Sequence, residues 1–327
     1  MLVSCLLVLI GFALLIYGAD IFVEGASSIA RQLGMPPLII GLTIVGFATS
    51  APEIIVGSVS AWQGKTAIAI GNALGSNITN IGLVLGFSVL IFPITIASNT
   101  LKKEYGLMCL AVIIALAVMI DGHLGRIDAV ILLVSLVFSI SWIVWIAKRS
   151  SSDDPLVNEF AQEFADESNK PDSLGKAILK LLIGLALLLL GADLLVRGAV
   201  SIAEFFGVPD LVIGLTIVAI GTSLPELAAS IVSLKKDEAD IAVGNVIGSN
   251  MFNMLAVLGI PTLINPDYFA GEVLTRDFPT MIGLTLLLGA MIFVSSKGKL
   301  VRPEGTILLL CFIGYQYVLF SQSVVLT

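Results

Sequence analysis

The chain has 327 residues, 57% of them hydrophobic and 13% charged, with a formal net charge of −7 and a mean hydropathy of +1.04. A soluble globular protein carries about 25% charged residues, so too little polar surface exists here to coat a water-soluble globule. Soluble enzyme folds, disordered chains and fibrous proteins are excluded, and the expected class is an all-α polytopic membrane protein.

A helix that crosses the hydrocarbon core takes about 20 apolar residues. Such stretches run at residues 2–30, 37–63, 66–94, 104–122 and 126–147. No charged segment precedes the first, so it reads as a membrane helix and not as a removed signal peptide. Residues 148–176 are polar, with Ser150-Ser151-Ser152-Asp153-Asp154-Pro155 and then Glu159, Glu163, Asp166 and Glu167. Apolar stretches resume at 177–203, 209–234, 239–265, 277–296 and 303–323. The expected organisation is a first five-helix repeat over 1–147, an acidic linker over 148–176, and a second five-helix repeat over 177–327. Cys5, Cys109 and Cys311 lie in apolar runs, which argues against a disulfide framework or a paired-cysteine metal site. No basic block with interleaved aromatics occurs, so nucleic acid is not an expected partner.

The two halves repeat. Shifted by 173 positions, Gly18-Ala19-Asp20 falls on Gly191-Ala192-Asp193, and Thr49-Ser50-Ala51-Pro52-Glu53 falls on Thr222-Ser223-Leu224-Pro225-Glu226. Gly71-Asn72-Ala73-Leu74-Gly75-Ser76-Asn77 falls on Gly244-Asn245-Val246-Ile247-Gly248-Ser249-Asn250. Between 18–53 and 191–226, 22 of 36 aligned pairs are identical. Five spans per half is an odd number, so the second half enters the membrane inverted: ten transmembrane helices as two inverted-topology repeats. Inverted repeats with a midplane site are the build of many secondary transporters. With both termini outside, thirteen Lys and Arg collect on the inner side, and the outer side keeps Lys65, Arg126, Arg197 and Arg276. That asymmetry places the central linker in the cytoplasm and the chain in the cell (inner) membrane.

Glu53 and Glu226 lie inside apolar spans, where a charge costs at least about 2.5–3.5 kcal/mol. Each follows a proline, which removes a backbone donor and breaks the helix. Broken helices at membrane depth are tolerated where the freed carbonyls are buried or line a wet cavity. Carbonyls beside a carboxylate make a site for a hard cation. Two carboxylates give four oxygens, and carbonyls at Thr49 and Thr222 would make six, within reach of the six to eight that Ca²⁺ takes. Sodium suits the same shell. With no His or Cys near, zinc, copper and iron are disfavoured. Ser76 and Asn80 share a helix face, and Gly71 with Gly75 allows close helix approach. This packing is expected to set Ser76 and Asn80 against the break at Thr49 to Glu53, with the second half mirroring it.

The paired Gly/Ala-x-x-Thr-Ser-x-Pro-Glu and Gly-Asn-x-x-Gly-Ser-Asn motifs resemble the alpha repeats of the calcium/cation antiporter superfamily, most closely the prokaryotic sodium/calcium exchangers. The resemblance covers essentially the whole chain. It implies Glu53 and Glu226 as central ligands, with Thr49 and Thr222 contributing carbonyls and hydroxyls and Ser50 and Ser223 lining the same breaks. It also implies flanking sodium sites at Ser76 and Ser249 with the carbonyls of Gly46 and Ala219, and a centre completed by Asn80 and Asn253. Asp often stands in this family where the chain has Asn253, which leaves Na⁺, K⁺ and H⁺ open as counter-ions. The expected function is exchange of Na⁺ for Ca²⁺ by alternating access, with a cation/H⁺ or K⁺-dependent exchanger as the alternative. No enzymatic residues and no cofactor are expected beyond the transported ions and the surrounding bilayer. Each chain holds a complete pair of halves, so a monomer suffices.

Overall fold

The computed structural model describes residues 1–95, 101–150, 173–207, 219–295 and 299–325. Helix α1, Leu2–Leu33, ends where Gly34 turns left-handed at φ 59° and returns its N–H to the last carbonyls of the helix. Pro36 and Pro37 then start α2, Pro37–Trp62. Gly64, at φ 73°, leads into α3, Thr66–Ile91. Helices α4, Leu101–Met119, and α5, Arg126–Ser150, complete the first half. The second half holds α6, Leu174–Phe205, and α7 as two pieces, Ala219–Thr222 and Leu224–Lys235. It ends with α8, Ala239–Ile264, α9, Val273–Val294, and α10, Arg302–Val325.

Eight of these helices are long and apolar enough to cross a membrane. The exceptions are α4, whose first turn carries Lys102, Lys103 and Glu104, and the described part of α7. Most of the helix limits fall within a few residues of the apolar stretches read from the sequence. Helices α5 and α6 each reach three residues into the expected linker, and its acidic residues lie outside the described part, as does the repeated run 212–218.

The inversion is visible in how α1 meets α6. A Cβ on Gly11 would come 2.6 Å from the Leu195 nitrogen, and one on Gly184 would collide with the backbone of Phe22. Gly18 meets Leu188 N at 2.8 Å, and Gly191 meets Leu15 N at 2.8 Å. Gly25 meets Leu181 N at 2.5 Å, and Gly198 meets Val8 N at 2.9 Å. The 173-residue shift converts each contact into its mate. Residue numbers run in opposite directions along the pair, so the helices are antiparallel and equivalent, which requires a pseudo-two-fold axis lying across them. Bare glycine faces let the backbones touch, the usual basis of tight helix association in lipid.

Two short antiparallel ladders stitch loops of one half to loops of the other. Ile94–Thr95 pairs with Lys299–Leu300, and His123–Leu124 pairs with Asp267–Tyr268. Helix α8 occupies the centre, with the whole of its most apolar stretch buried. Gly244 and Gly248 press on the backbone of α2 near Leu38 and Leu42, leaving no room for a side chain. One large apolar cluster joins α2 to α5 with α8 to α10. A smaller one joins α1 and α6 to parts of α2 and α7. Large apolar residues such as Leu9, Ile127, Val134 and Val137 remain exposed, as a lipid-facing surface requires.

Candidate cation site

Both Pro-Glu motifs break their helices. In α2 the interruption falls at Ser50, φ −83° and ψ −2°, and the helix restarts at Ala51 with Pro52 in its first turn. In α7 it falls at Ser223, φ −94° and ψ 7°, and the helix restarts at Leu224 with Pro225 in its first turn. Each proline lacks the N–H that would bind the carbonyl four residues earlier, Ala48 or Gly221. Glu53 and Glu226 occupy the first turn of the restarted helices, at the positive end of the helix dipole.

The two glutamates are each 1% exposed. Each lies within the electrostatic reach of the other, with the Thr49 hydroxyl beside Glu226, and none of their four carboxylate oxygens makes a hydrogen bond of ordinary geometry among the described residues. The hydroxyls of Ser50 and Ser223, the amide oxygen of Asn80 and both amide atoms of Asn253 are likewise buried and unpaired. A buried ionised carboxylate without a partner is strongly unfavourable, which makes this group of polar side chains a candidate site for a cation or a proton. No group of three His, Cys, Asp or Glu gathers among the described residues. The donor set is therefore carboxylate, hydroxyl, carboxamide and carbonyl, the set of a hard cation.

The first break has neighbours from both halves, and those of the Thr49 hydroxyl come from the opposite one. Thr49 Oγ1 donates to Asn245 Oδ1 at 3.0 Å and lies 3.2 Å from Ser249 Oγ. Ser249 Oγ also reaches the carbonyl of Gly46 at 3.4 Å. The cause is steric: the glycine face of α8 beds into the backbone of α2, carrying the second half's Ser249 to the first half's break. A same-half contact is made by Asn72, whose Nδ2 donates to the Glu53 carbonyl at 3.3 Å. Ser76 is buried. Thr222 is half-buried and lines a side cavity of about 350 Å³ with Pro52, Ala192, Asp193, Val196 and Pro225. Ala219 opens the described part of α7.

Four asparagines belong to the site region without having been singled out from the sequence as ligands. Asn77 Nδ2 donates to the Asn250 carbonyl at 3.1 Å, and Asn80 Nδ2 donates to Asn250 Oδ1 at 3.2 Å, joining α3 to α8. Asn72 and Asn245 bind the first break as described. Their signal was present, since they are the two asparagine positions of the Gly-Asn-x-x-Gly-Ser-Asn motif in each of its two copies. The backbone adds a further device. Residues Asn80–Leu85 and Asn253–Val257 are π-helical, each turn starting at the motif asparagine, and such widened turns frequently mark functional sites.

Comparison with known proteins agrees with this architecture. The family profile described as sodium/calcium exchanger protein matches residues 3–145 and 176–321. The CaxA protein of Alkalimonas amylolytica is 49% identical over 323 residues, covering 98% of this chain and 100% of that protein. Sodium/calcium exchanger MaX1 of Methanosarcina acetivorans is 32% identical over 351 residues, covering 97% and 99%. The solved structure of a sodium/calcium exchanger from Methanococcus jannaschii superposes with a TM-score of 0.80 at 34% identity, covering 95% of this chain and 96% of that one.

Proposed function

The chain belongs to the sodium/calcium exchanger family of membrane cation antiporters, and we propose that it exchanges Na⁺ for Ca²⁺ by alternating access. The observation that carries this reading is the pair of buried carboxylates of Glu53 and Glu226, one from each broken helix, with no cationic side chain paired to either among the described residues. Two negative charges are neutralised by one Ca²⁺ or by two Na⁺, but not by one Na⁺. The ion-free site would carry uncompensated charge through a low-dielectric interior, so reorientation is coupled to loading and exchange becomes obligatory. Thr49, Thr222, Ser50, Ser223, Asn80 and Asn253 complete the central shell in this reading. Ser76 and Ser249, with the carbonyls of Gly46 and Ala219, hold flanking Na⁺.

The excess of Lys and Arg on the face that carries Arg31 and Lys236 supports a cytoplasmic assignment for that face and for the central linker. The cell membrane is the expected location, with both termini outside and the monomer as the working unit. The test is radiolabelled Ca²⁺ uptake into proteoliposomes under outward Na⁺, K⁺ or proton gradients. Uptake driven by Na⁺, and lost in Glu53→Gln and Glu226→Gln, is the expected result. Uptake that follows only the proton or K⁺ gradient would keep the site and replace the counter-ion. No Ca²⁺ flux under any gradient would overturn the substrate.

A further inference from the structure

On one face of the molecule α1 is bound to the turn between α7 and α8. Arg31 Nη2 lies 3.1 Å from Glu238 Oε1 and donates to Ser27 Oγ at 2.9 Å, and Ser27 Oγ donates to Glu238. Lys236 Nζ lies 2.9 Å from Asp20 Oδ1 and donates to the Asp20 carbonyl at 3.0 Å. Behind these polar ties, Val23 and Ala26 of α1 share a closed apolar cluster with Ala229 and Val232 of α7. This face is shut.

The repeat places a second set of residues at the equivalent positions of the other face. Shifting by 173, Arg31 corresponds to Glu204 and Glu238 to Lys65. The backbone confirms the correspondence. Gly34 at φ 59° bonds back to the Arg31 carbonyl, and Gly207 at φ 74° bonds back to that of Glu204. Gly64 and Asp237 both turn left-handed, and the next residues, Lys65 and Glu238, donate their N–H to Ser60 and Ser233 at 2.8 Å each. The signs of charge are exchanged between the faces, yet complementarity is kept. Both Lys65 and Glu204 are exposed, and neither has an ion-pair partner among the described residues. Where α6 would meet α2, as α1 meets α7 on the shut face, the side cavity stands between them. Asp193, the counterpart of Asp20, is turned to Arg197 on its own helix at 2.9 Å.

We propose that Lys65 and Glu204 form the alternative latch: an ion pair that closes the second face when the Arg31–Glu238 pair of the first face opens. The proposal rests on the alternating-access reading given above and assigns Arg31, Glu238, Lys65 and Glu204 as positioning residues that set which face is open. In a protein with Cys5, Cys109 and Cys311 replaced by Ser, Lys65→Cys with Glu204→Cys reports closure of the second face by its rate of joining with a short bifunctional thiol reagent. Joining is expected, and Glu238→Arg, which repels Arg31, is expected to accelerate it about two- to fivefold, the effect of one partly exposed ion pair. No joining, or a rate that Glu238→Arg leaves unchanged, overturns the proposal.

Arg31→Cys with Glu238→Cys reports the first face in the same way. Lys65→Glu is expected to raise its joining rate by a similar factor, and adding Glu204→Lys to return it to the starting value. An effect of Lys65→Glu that Glu204→Lys does not reverse would overturn the pairing, because a merely structural role has no reason to respond to the exchange of signs. These rates are read at equilibrium in saturating Na⁺ or Ca²⁺, which compensates the glutamate pair and permits reorientation, and they need no ion gradient. Failure of Na⁺-driven Ca²⁺ flux would therefore count against the functional reading and leave the latches standing.

Discussion

Glu53 and Glu226 bring four carboxylate oxygens into the interior with no cationic side chain paired to them among the described residues, and this sets two effects of substitution in opposite directions. With its ions bound the pair is compensated, and removing one partner of a buried charge pair costs about 3–5 kcal/mol. Glu53→Gln and Glu226→Gln should each weaken Ca²⁺ binding by more than about a hundredfold, measurable by calorimetry in detergent. In Ca²⁺- and Na⁺-free buffer, at a pH alkaline enough to keep both glutamates ionised, the same variants remove uncompensated buried charge, so their Tm should lie above that of the parent chain, by the equivalent of about 1–4 kcal/mol. A parent Tm that exceeds both variants in ion-free buffer would refute the idea that the carboxylates stand unpaired. The two glutamates were legible in the sequence because a charge beside a proline inside an apolar span has few structural excuses, and here it occurs twice. The bonds of Thr49 were not. A 173-residue shift shows that Ser76 and Ser249 are equivalent, but it does not say which half's break each one meets. That choice is made by the seating of α8 on α2. Asn72, Asn77, Asn245 and Asn250 were equally visible in the repeated motif, and what hid them was the assumption that its serine and the asparagine beyond its end carried the chemistry.

At the scale of elements, function depends on helices that approach with no side chain between them. A Cβ on Gly46 would stand 2.9 Å from the Ser249 nitrogen, and one on Gly248 would strike the Leu42 carbonyl. Forcing extra atoms into such a contact costs about 1–3 kcal/mol, and here it would also shift the α2 backbone that carries Thr49 and Glu53. Gly248→Ala should therefore lower both Tm and Ca²⁺ affinity. Gly314 in α10 is exposed, and its added Cβ meets nothing within 4 Å. Gly314→Ala should raise stability by about 0.5–1 kcal/mol, the ordinary helical gain of Ala over Gly, and leave affinity unchanged. Thermal melts with and without Ca²⁺ distinguish the two outcomes, and equal destabilisation by both would show that the Gly248 contact is not specific. The helices themselves were legible from apolar length, with limits mostly within a few residues. The π-helical turns at Asn80–Leu85 and Asn253–Val257 were not, because the first is packed against α7, α8 and α10 and the second against α2 to α5, and neither leaves a residue pattern of its own.

For the molecule as a whole, the inverted repeat makes two faces of one design, and the net charge carried between them decides how the membrane potential acts. The glutamate pair balances one Ca²⁺ or two Na⁺. The Ser249 hydroxyl and the Gly46 carbonyl, 3.4 Å apart beside the first break, are the oxygens that in the proposed exchange would take a further Na⁺ that Ca²⁺ loading does not use. If that ion is carried, each cycle moves one net positive charge in the direction of Na⁺. In proteoliposomes loaded with Na⁺, Ca²⁺ enters as Na⁺ leaves, so net positive charge leaves the vesicle. An interior-positive potential then assists uptake, with about 2.3 kcal/mol per charge per 100 mV, roughly a fiftyfold change in the equilibrium Ca²⁺ ratio. The expected result is that final Ca²⁺ accumulation rises when valinomycin and an inward K⁺ gradient make the interior positive, and falls when the gradient is reversed. Ser249→Ala, which removes one oxygen of the flanking set but neither carboxylate, should weaken the dependence of transport on Na⁺ more than its dependence on Ca²⁺. Accumulation that ignores the imposed potential would show that only two Na⁺ cross with the glutamate pair, and would leave those oxygens a purely structural role.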